Sequence, residues 1–70
     1  MSVTIHTHHE LSSEVRNLLE GVGEAELRED YEQKMIFKKR LAELGFVIPH
    51  TAVYSATGHI ELYVSKKEQA

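Results

Sequence analysis

The spacing of hydrophobic residues changes along this chain, and each change marks a secondary-structure element. Residues 2 to 6 alternate, with Val3 and Ile5 on one side and polar residues on the other, which predicts a short strand. From Leu11 to Val22 the apolar residues recur at helical spacing. The chain therefore begins with a strand followed by a helix.

Capping residues and glycines predict where the helices begin and end. Thr7 and Ser12 are both good N-caps, so the first helix has two possible starting points. Gly21-Val22-Gly23 predicts its end, because glycine readily adopts the left-handed conformation that stops a helix. A second, longer helix is then predicted from Glu24 to Leu44, with Gly45 after it.

Residues 51 to 65 predict two strands joined by a tight turn at Thr57-Gly58. In that register Val53 lies opposite Leu62, and aliphatic and polar-aromatic side chains fall on different faces. The face predicted to meet the core carries Val53, Ile60, Leu62 and Val64, and the other face carries Tyr54, His59, Glu61 and Tyr63. Before this hairpin, Phe46-Val47-Ile48 is extended, and Pro49 places it at a sheet edge or a bend.

These elements predict an α+β fold in the order β-α-α-β-β. We expect one domain over residues 1–70, with a three-stranded antiparallel or mixed sheet, two helices packed on one face and a frayed tail over residues 66–70. The predicted core consists of Val3, Ile5, Leu11, Val15, Leu18, Leu27, Tyr31, Met35, Leu41, Leu44, Phe46, Val53, Ile60, Leu62 and Val64.

The second predicted helix has more apolar surface than one contact requires. One stripe contains Leu27, Tyr31, Met35 and Ala42, and another contains Phe37, Leu41 and Leu44, with Ile36 apart from both. One stripe can cover the sheet, and the other needs either the first helix or a second subunit. Because small domains without cysteine often gain stability by association, we expect a homodimer.

Composition narrows the class of protein. The chain has no cysteine, which excludes disulfides and suits a reducing cytoplasm. Its first residues do not resemble a signal peptide, and no apolar run could span a membrane. With 11 acidic and 8 basic side chains the net charge is -3, so the overall basic excess typical of nucleic-acid binders is missing.

The polar-aromatic face of the predicted sheet is a candidate surface for a protein partner. Tyrosine is enriched at interfaces because its ring buries area while its hydroxyl forms a hydrogen bond. The candidate partner-binding residues are Tyr54, Tyr63, His59 and Glu61, joined by Thr4 and His6 if the first strand pairs beside the hairpin. We therefore expect a small regulator or inhibitor; its size and composition are similar to those of accessory proteins of phages and mobile elements.

DNA binding is the alternative function. The order strand, helix, glycine turn, helix over residues 2–44 resembles the ribbon-helix-helix family, with Ser2, Thr4 and His6 where that family's strand contacts bases. The strand has no Lys or Arg, unlike that pattern. Residues 37–47 followed by a hairpin also resemble the end of a winged helix, which implies phosphate contacts from Lys38, Lys39 and Arg40.

The five histidines raise the question of metal binding or catalysis. His6 and His8 would share a strand face and are weak candidates for zinc or nickel ligands, with His59, His50 or Glu10 as a third ligand. A metal-binding protein that uses this cluster is the second alternative function. A tight site needs more ligands than the local pair, so no metal or cofactor is predicted. Among possible catalytic groups, Ser55 and His59 fall on opposite faces, so no nucleophile–base pair is predicted. We expect no enzymatic activity.

Overall fold

The structure is a computed structural model that describes residues 2–67. Its elements are strand β1 (Ser2–His6), helix α1 (Ser13–Leu27), helix α2 (Tyr31–Glu43), strand β2 (Phe46–Tyr54) and strand β3 (His59–Lys66). The predicted α+β class and the β-α-α-β-β order are confirmed.

The three strands form one mixed sheet in the order β1-β3-β2. Strand β3 is central: it pairs in parallel with β1, and antiparallel with β2. A parallel pair needs a crossover connection, and α1 and α2 provide it on the way from β1 to the hairpin. The last strand in sequence therefore lies between the other two.

Strand β3 separates the two faces of the sheet. Ile60 and Leu62 are completely buried and Val64 is 6% exposed, whereas Tyr63 is 38% exposed. The buried side chains pack in one cluster with Val15 and Leu19 of α1 and with Leu41 of α2. Both helices therefore cover the same face, as the sequence predicts, and the side chains of His59, Glu61 and Tyr63 lie on the other.

The predicted hairpin register is wrong by two residues. Val53 lies opposite Ile60 rather than Leu62, and the turn contains four residues, 55–58, instead of two. The turn includes Gly58 with a φ of 65°, and hydrogen bonds join Thr57 N–H to Tyr54 O (3.2 Å) and Gly58 N–H to Ser55 O (3.3 Å). Because side-chain direction repeats every two residues, this shift leaves each side chain on its predicted face.

An irregularity in β2 changes the direction of its side chains. Val47 pairs with Ser65 and His50 with Tyr63, so two residues of β2, Ile48 and Pro49, face a single residue of β3. This is a β-bulge, and it reverses the alternation that follows. As a result, His50 lies on the same face as Tyr63. The edge position predicted for Pro49 is confirmed, because β2 is an outer strand.

The predicted end of the first helix at Gly21–Gly23 is wrong. Helix α1 begins after Ser12, whose hydroxyl accepts a hydrogen bond from Val15 N–H (3.2 Å), and it continues to Leu27. The break comes instead at Glu29, with a φ of 59°, where Asp30 N–H bonds to Ala25 O (2.8 Å). This is a Schellman-type helix ending. The next residue, Asp30, is the N-cap of α2, because its side-chain Oδ1 accepts a hydrogen bond from Gln33 N–H. The predicted helix over residues 24–44 is therefore divided.

The two glycines of α1 serve close packing rather than helix termination. A Cβ atom at Gly23 would lie 2.7 Å from Val3 Cγ1 and 3.1 Å from Ile60 Cγ2. At Gly21, it would lie 2.9 Å from the ring of Phe37. Glycine thus lets α1 approach both the sheet and α2, and this contact outweighs its poor helix propensity.

Several predicted core residues lie elsewhere. Tyr31 and Met35 are exposed on α2, and Val53 is 46% exposed although it is on the helix-facing side of β2. The core contains in their place Leu19, Val22 and Ala25 of α1, all at most 1% exposed. The prediction placed Leu19 and Val22 on the first helix without assigning them to the core, and it placed Ala25 on the second helix.

The predicted frayed tail begins too early. Lys66 belongs to β3, and Lys67 N–H donates a hydrogen bond to Gly45 O (2.7 Å). The rest of that tail, residues 68–70, lies outside the described residues. Within residues 2–67, no helix is sufficiently long and apolar to cross a membrane.

Gly23→Ala is expected to destabilise the fold. Alanine has a helix propensity that is more favourable than that of glycine by about 1 kcal/mol. Forcing its methyl group against Val3 and Ile60, however, costs roughly 1–3 kcal/mol of folding stability. We expect a net loss of stability by urea denaturation. The Val3→Ala background should reduce that loss, because it removes the nearest methyl groups. A variant that is more stable than the wild type would show that α1 does not lie this close to the sheet.

Candidate functional site on the open sheet face

The face of the sheet that the helices leave uncovered is here called the open face. Its polar and aromatic residues include Ser2, Thr4 and His6 of β1, His59, Glu61 and Tyr63 of β3, and His50 and Tyr54 of β2. All three strands contribute, and β3 supplies the middle row. The sequence folds this way because β3 alternates aliphatic with polar residues, and its aliphatic side enters the core.

Glu61 is the centre of a hydrogen-bonded network on the open face. Its Oε1 lies 2.7 Å from His6 Nε2 and 3.5 Å from the hydroxyl of Tyr63. Its Oε2 lies 3.4 Å from His59 Nε2. One carboxylate therefore links β1 to β3 through His6, and it orients two neighbours along β3.

His59 extends this network to the first residue of β1. Its Nδ1 lies 2.6 Å from Ser2 Oγ, while its Nε2 faces Glu61. With Nε2–H directed at the carboxylate, Nδ1 of a neutral ring accepts the hydrogen bond from Ser2. The ring of His59 is thereby fixed at both nitrogens.

Ring stacking holds the aromatic residues in place. The rings of His6 and Tyr63 are parallel to within 10°, with centroids 4.6 Å apart. His50 contacts the same tyrosine from the opposite strand at 5.2 Å, and Tyr54 stacks on His59 at 5.7 Å. Tyr63 is thus flanked by rings from both neighbouring strands.

The surroundings on the open face shift the pKa of two groups. The hydrogen bond from His6 lowers the pKa of Glu61, with a smaller contribution from His59, so the carboxylate is ionised at neutral pH. Partial burial, and then the charge of Glu61, raise the pKa of Tyr63, so its hydroxyl stays protonated and donates. The open face therefore presents one carboxylate surrounded by donors.

The structure brings the six candidate partner-binding residues together on the open face. Five of them make the contacts described above, and Thr4 lies opposite Glu61 in the register of β1 and β3. The prediction of this set missed Ser2 and His50. The alternation of β1 could have identified Ser2, whereas His50 joins the face only because of the β-bulge, which the sequence alone does not reveal.

Ser2, His59 and Glu61 have the order of a hydroxyl–imidazole–carboxylate relay. The hydroxyl partner of His59 is not Ser55, which lies in the hairpin turn. Catalysis by a relay also requires an enclosure that excludes water and donors for an oxyanion. Here Ser2 is exposed on an outer strand, and the carboxylate is shared with His6 and Tyr63. We therefore interpret the contacts of Ser2, His59 and Glu61 as fixing the orientation of these side chains.

The two weak metal-ligand candidates, His6 and His8, do not share a strand face. Strand β1 ends at His6, and His8 lies in the bend that follows. His6 is hydrogen-bonded to Glu61 instead, although His6 and His8 still border the same hollow beside Tyr63. Among residues 2–67, no three His, Cys, Asp or Glu side chains are arranged to hold a metal ion.

The basic residues of the alternative DNA-binding prediction lie on α2, in the other layer of the molecule. Lys39 and Arg40 are exposed, and Lys38 is half-buried. Arg40 Nη2 lies 3.7 Å from Glu14 Oε2 of α1. These residues are therefore separate from Ser2, Thr4 and His6, which the ribbon-helix-helix resemblance would place against bases.

A scan against protein-family models, a search of curated proteins and a search of solved structures each gave no match to this chain.

Replacing Glu61 by Gln should change the acid dependence of stability. Because the folded-state pKa of Glu61 lies below its usual value of 4.5, its ionisation stabilises the fold above that pH, and this contribution is lost as the pH falls through the folded-state pKa. The wild type should exceed Glu61→Gln in stability at pH 6, and the difference should shrink below pH 4.5. Thermal melts followed by circular dichroism at each pH would measure it.

Thr4→Val provides the control, because it alters the same face without changing an ionisable group. Its stability difference from the wild type should stay constant over this pH range. An equally constant difference for Glu61→Gln would contradict the proposed ionised network.

Proposed function

We propose that this protein is a non-enzymatic regulator or inhibitor that binds a protein partner through the open face. The observation that carries the proposal is the presentation of Tyr54 and Tyr63 on a sheet surface that neither helix covers. They are 51% and 38% exposed, so each ring still has area to bury against a partner.

The network around Glu61 supports binding because it holds the surface in one arrangement before a partner arrives. His6 and Tyr63 are each held by a hydrogen bond to the carboxylate, His59 Nε2 lies 3.4 Å from it, and ring stacking adds a second restraint. Side chains that are already ordered lose less entropy when they are buried. A small surface can then bind more tightly than its area alone suggests.

The chemistry of the open face favours a partner whose contact surface combines apolar side chains with hydrogen-bonding groups. The tyrosine rings offer contact area, while the exposed His50 ring and the lone pairs of the Glu61 carboxylate that remain free offer hydrogen bonds. Interfaces of this kind are typically centred on tyrosines and rimmed by polar groups. We expect the partner to place apolar side chains over Tyr54 and Tyr63 and donors near Glu61.

Tyr54→Ala and Tyr63→Ala should each weaken partner binding without unfolding the protein. Removing a central interface tyrosine costs about 1–3 kcal/mol, or roughly 5- to 150-fold in affinity. The partner would be captured from a lysate of the source organism with the wild-type chain, identified by mass spectrometry, purified and titrated calorimetrically with each variant.

Tyr31→Ala is the matched control, since Tyr31 is 60% exposed but lies on α2 in the other layer. It should bind as the wild type does. Equal affinity of the Tyr54 and Tyr63 variants for the captured partner, with an unchanged circular dichroism spectrum, would rule out the open face as the binding surface.

DNA binding through α2 is the competing function, and it has support from one local feature. Within residues 2–67, Lys38 and Lys39 have no acidic side chain within ion-pair distance, although the net charge is -3. We expect no mobility shift of duplex DNA even at low salt, because so few phosphate contacts are available. A shift that weakens in Lys38→Ala and Lys39→Ala and falls with added salt would favour DNA binding instead.

A further inference from the structure

Helix α2 has an apolar centre that the domain does not use. Met35 and Ile36 are 62% and 56% exposed, whereas Phe37 and Leu41 of the same helix face the core. Apolar side chains of α1, by contrast, are buried or half-buried throughout. The side chains of Met35 and Ile36 are neighbours and form one contiguous patch, and contiguous exposed apolar patches mark interaction surfaces more often than scattered residues do.

The charges on either side of this apolar centre are arranged with opposite signs. At 100° per residue, Glu32, Ile36, Lys39 and Glu43 lie on one stripe of α2, with Met35 beside it, and Glu43 is the last residue of the helix. Glu32 lies one turn before the apolar pair, and Lys39 one turn after it. Both are exposed, and neither has an ion-pair partner among residues 2–67.

This order of charges is complementary to itself when the helix is reversed. A twofold axis between Met35 and Ile36 makes two copies of α2 antiparallel and brings residues whose numbers add to 71 opposite each other. Glu32 then faces Lys39 of the second copy, and by symmetry the same pair forms again on the other side of the axis. In a parallel arrangement, by contrast, Glu32 would face Glu32 of the second copy and Lys39 would face Lys39, so like charges would repel.

We propose that α2 is the contact surface for a second copy of this chain, with the two α2 helices antiparallel, Met35 and Ile36 at the centre and two Glu32–Lys39 ion pairs at the rim. This surface lies in the helical layer, so both open faces remain free in the dimer. The proposal is independent of what the open face binds.

One pair of short helices buries less than the 1,200–2,000 Å² that stable interfaces typically bury. The dimer should therefore dissociate on dilution, and its dissociation constant can be measured by sedimentation equilibrium over a range of protein concentrations. Glu32→Lys alone, or Lys39→Glu alone, replaces two attractive pairs by two repulsive ones. Each change should raise the dissociation constant about tenfold.

The double variant Glu32→Lys with Lys39→Glu exchanges the two charges and should restore the wild-type dissociation constant. This recovery cannot come from a general effect on folding, because it requires the two charges to face each other across the dimer. The single variants also test folding directly, since their circular dichroism spectra should match that of the wild type.

The absence of cysteine from the sequence permits a second test. Ile36→Cys would be the sole thiol of the chain, and a short bismaleimide should cross-link it efficiently between copies. Asn17→Cys, on the exposed side of α1, is the control and should not cross-link. A monomer at every concentration would overturn the proposal, as would a dimer that neither charge reversal affects, since such a dimer must form through another surface, such as the edge of β2.

Discussion

The pairing of β3 with both neighbouring strands is the constraint on which the rest of the structure depends. Its backbone bonds to β1 on one side and to β2 on the other. Its even-numbered residues, Ile60, Leu62 and Val64, form the floor of the core, and its odd-numbered residues form the middle row of the open face. A single alternating strand thus supplies both stability and the candidate site, and a shift of one residue would exchange them.

The parallel pairing of β1 with β3 gives the open face its network. Ser2 and His6 are more than fifty residues from His59 and Glu61 in sequence, yet they contact them directly. The position of β1 depends in turn on α1, because Gly23 lets the helix lie against Val3 and Ile60. Close packing in the core and hydrogen bonding on the open face are therefore coupled through the same short strand.

The two layers of the molecule offer surfaces of different character. The open face is polar and aromatic and is ordered by a carboxylate, whereas the exposed side of α2 has an aliphatic centre between opposite charges. A domain of 70 residues has a small core and gains stability when it associates. Self-association through α2 and partner binding through the sheet would use separate surfaces and so would not compete.

The sequence by itself determined the type and order of the elements and the face to which each hairpin side chain belongs. Strand alternation depends only on parity, so the faces were predicted correctly although the turn was assigned two residues instead of four. Tertiary structure decided the rest. Gly21 and Gly23 have the local signature of a helix end, but their close contacts with Phe37 and Val3 keep them inside α1, and Glu29 forms the break instead. Likewise, only the pairing of β2 with β3 reveals the bulge that places His50 beside Tyr63, because a bulge depends on the partner strand as well as on its own residues.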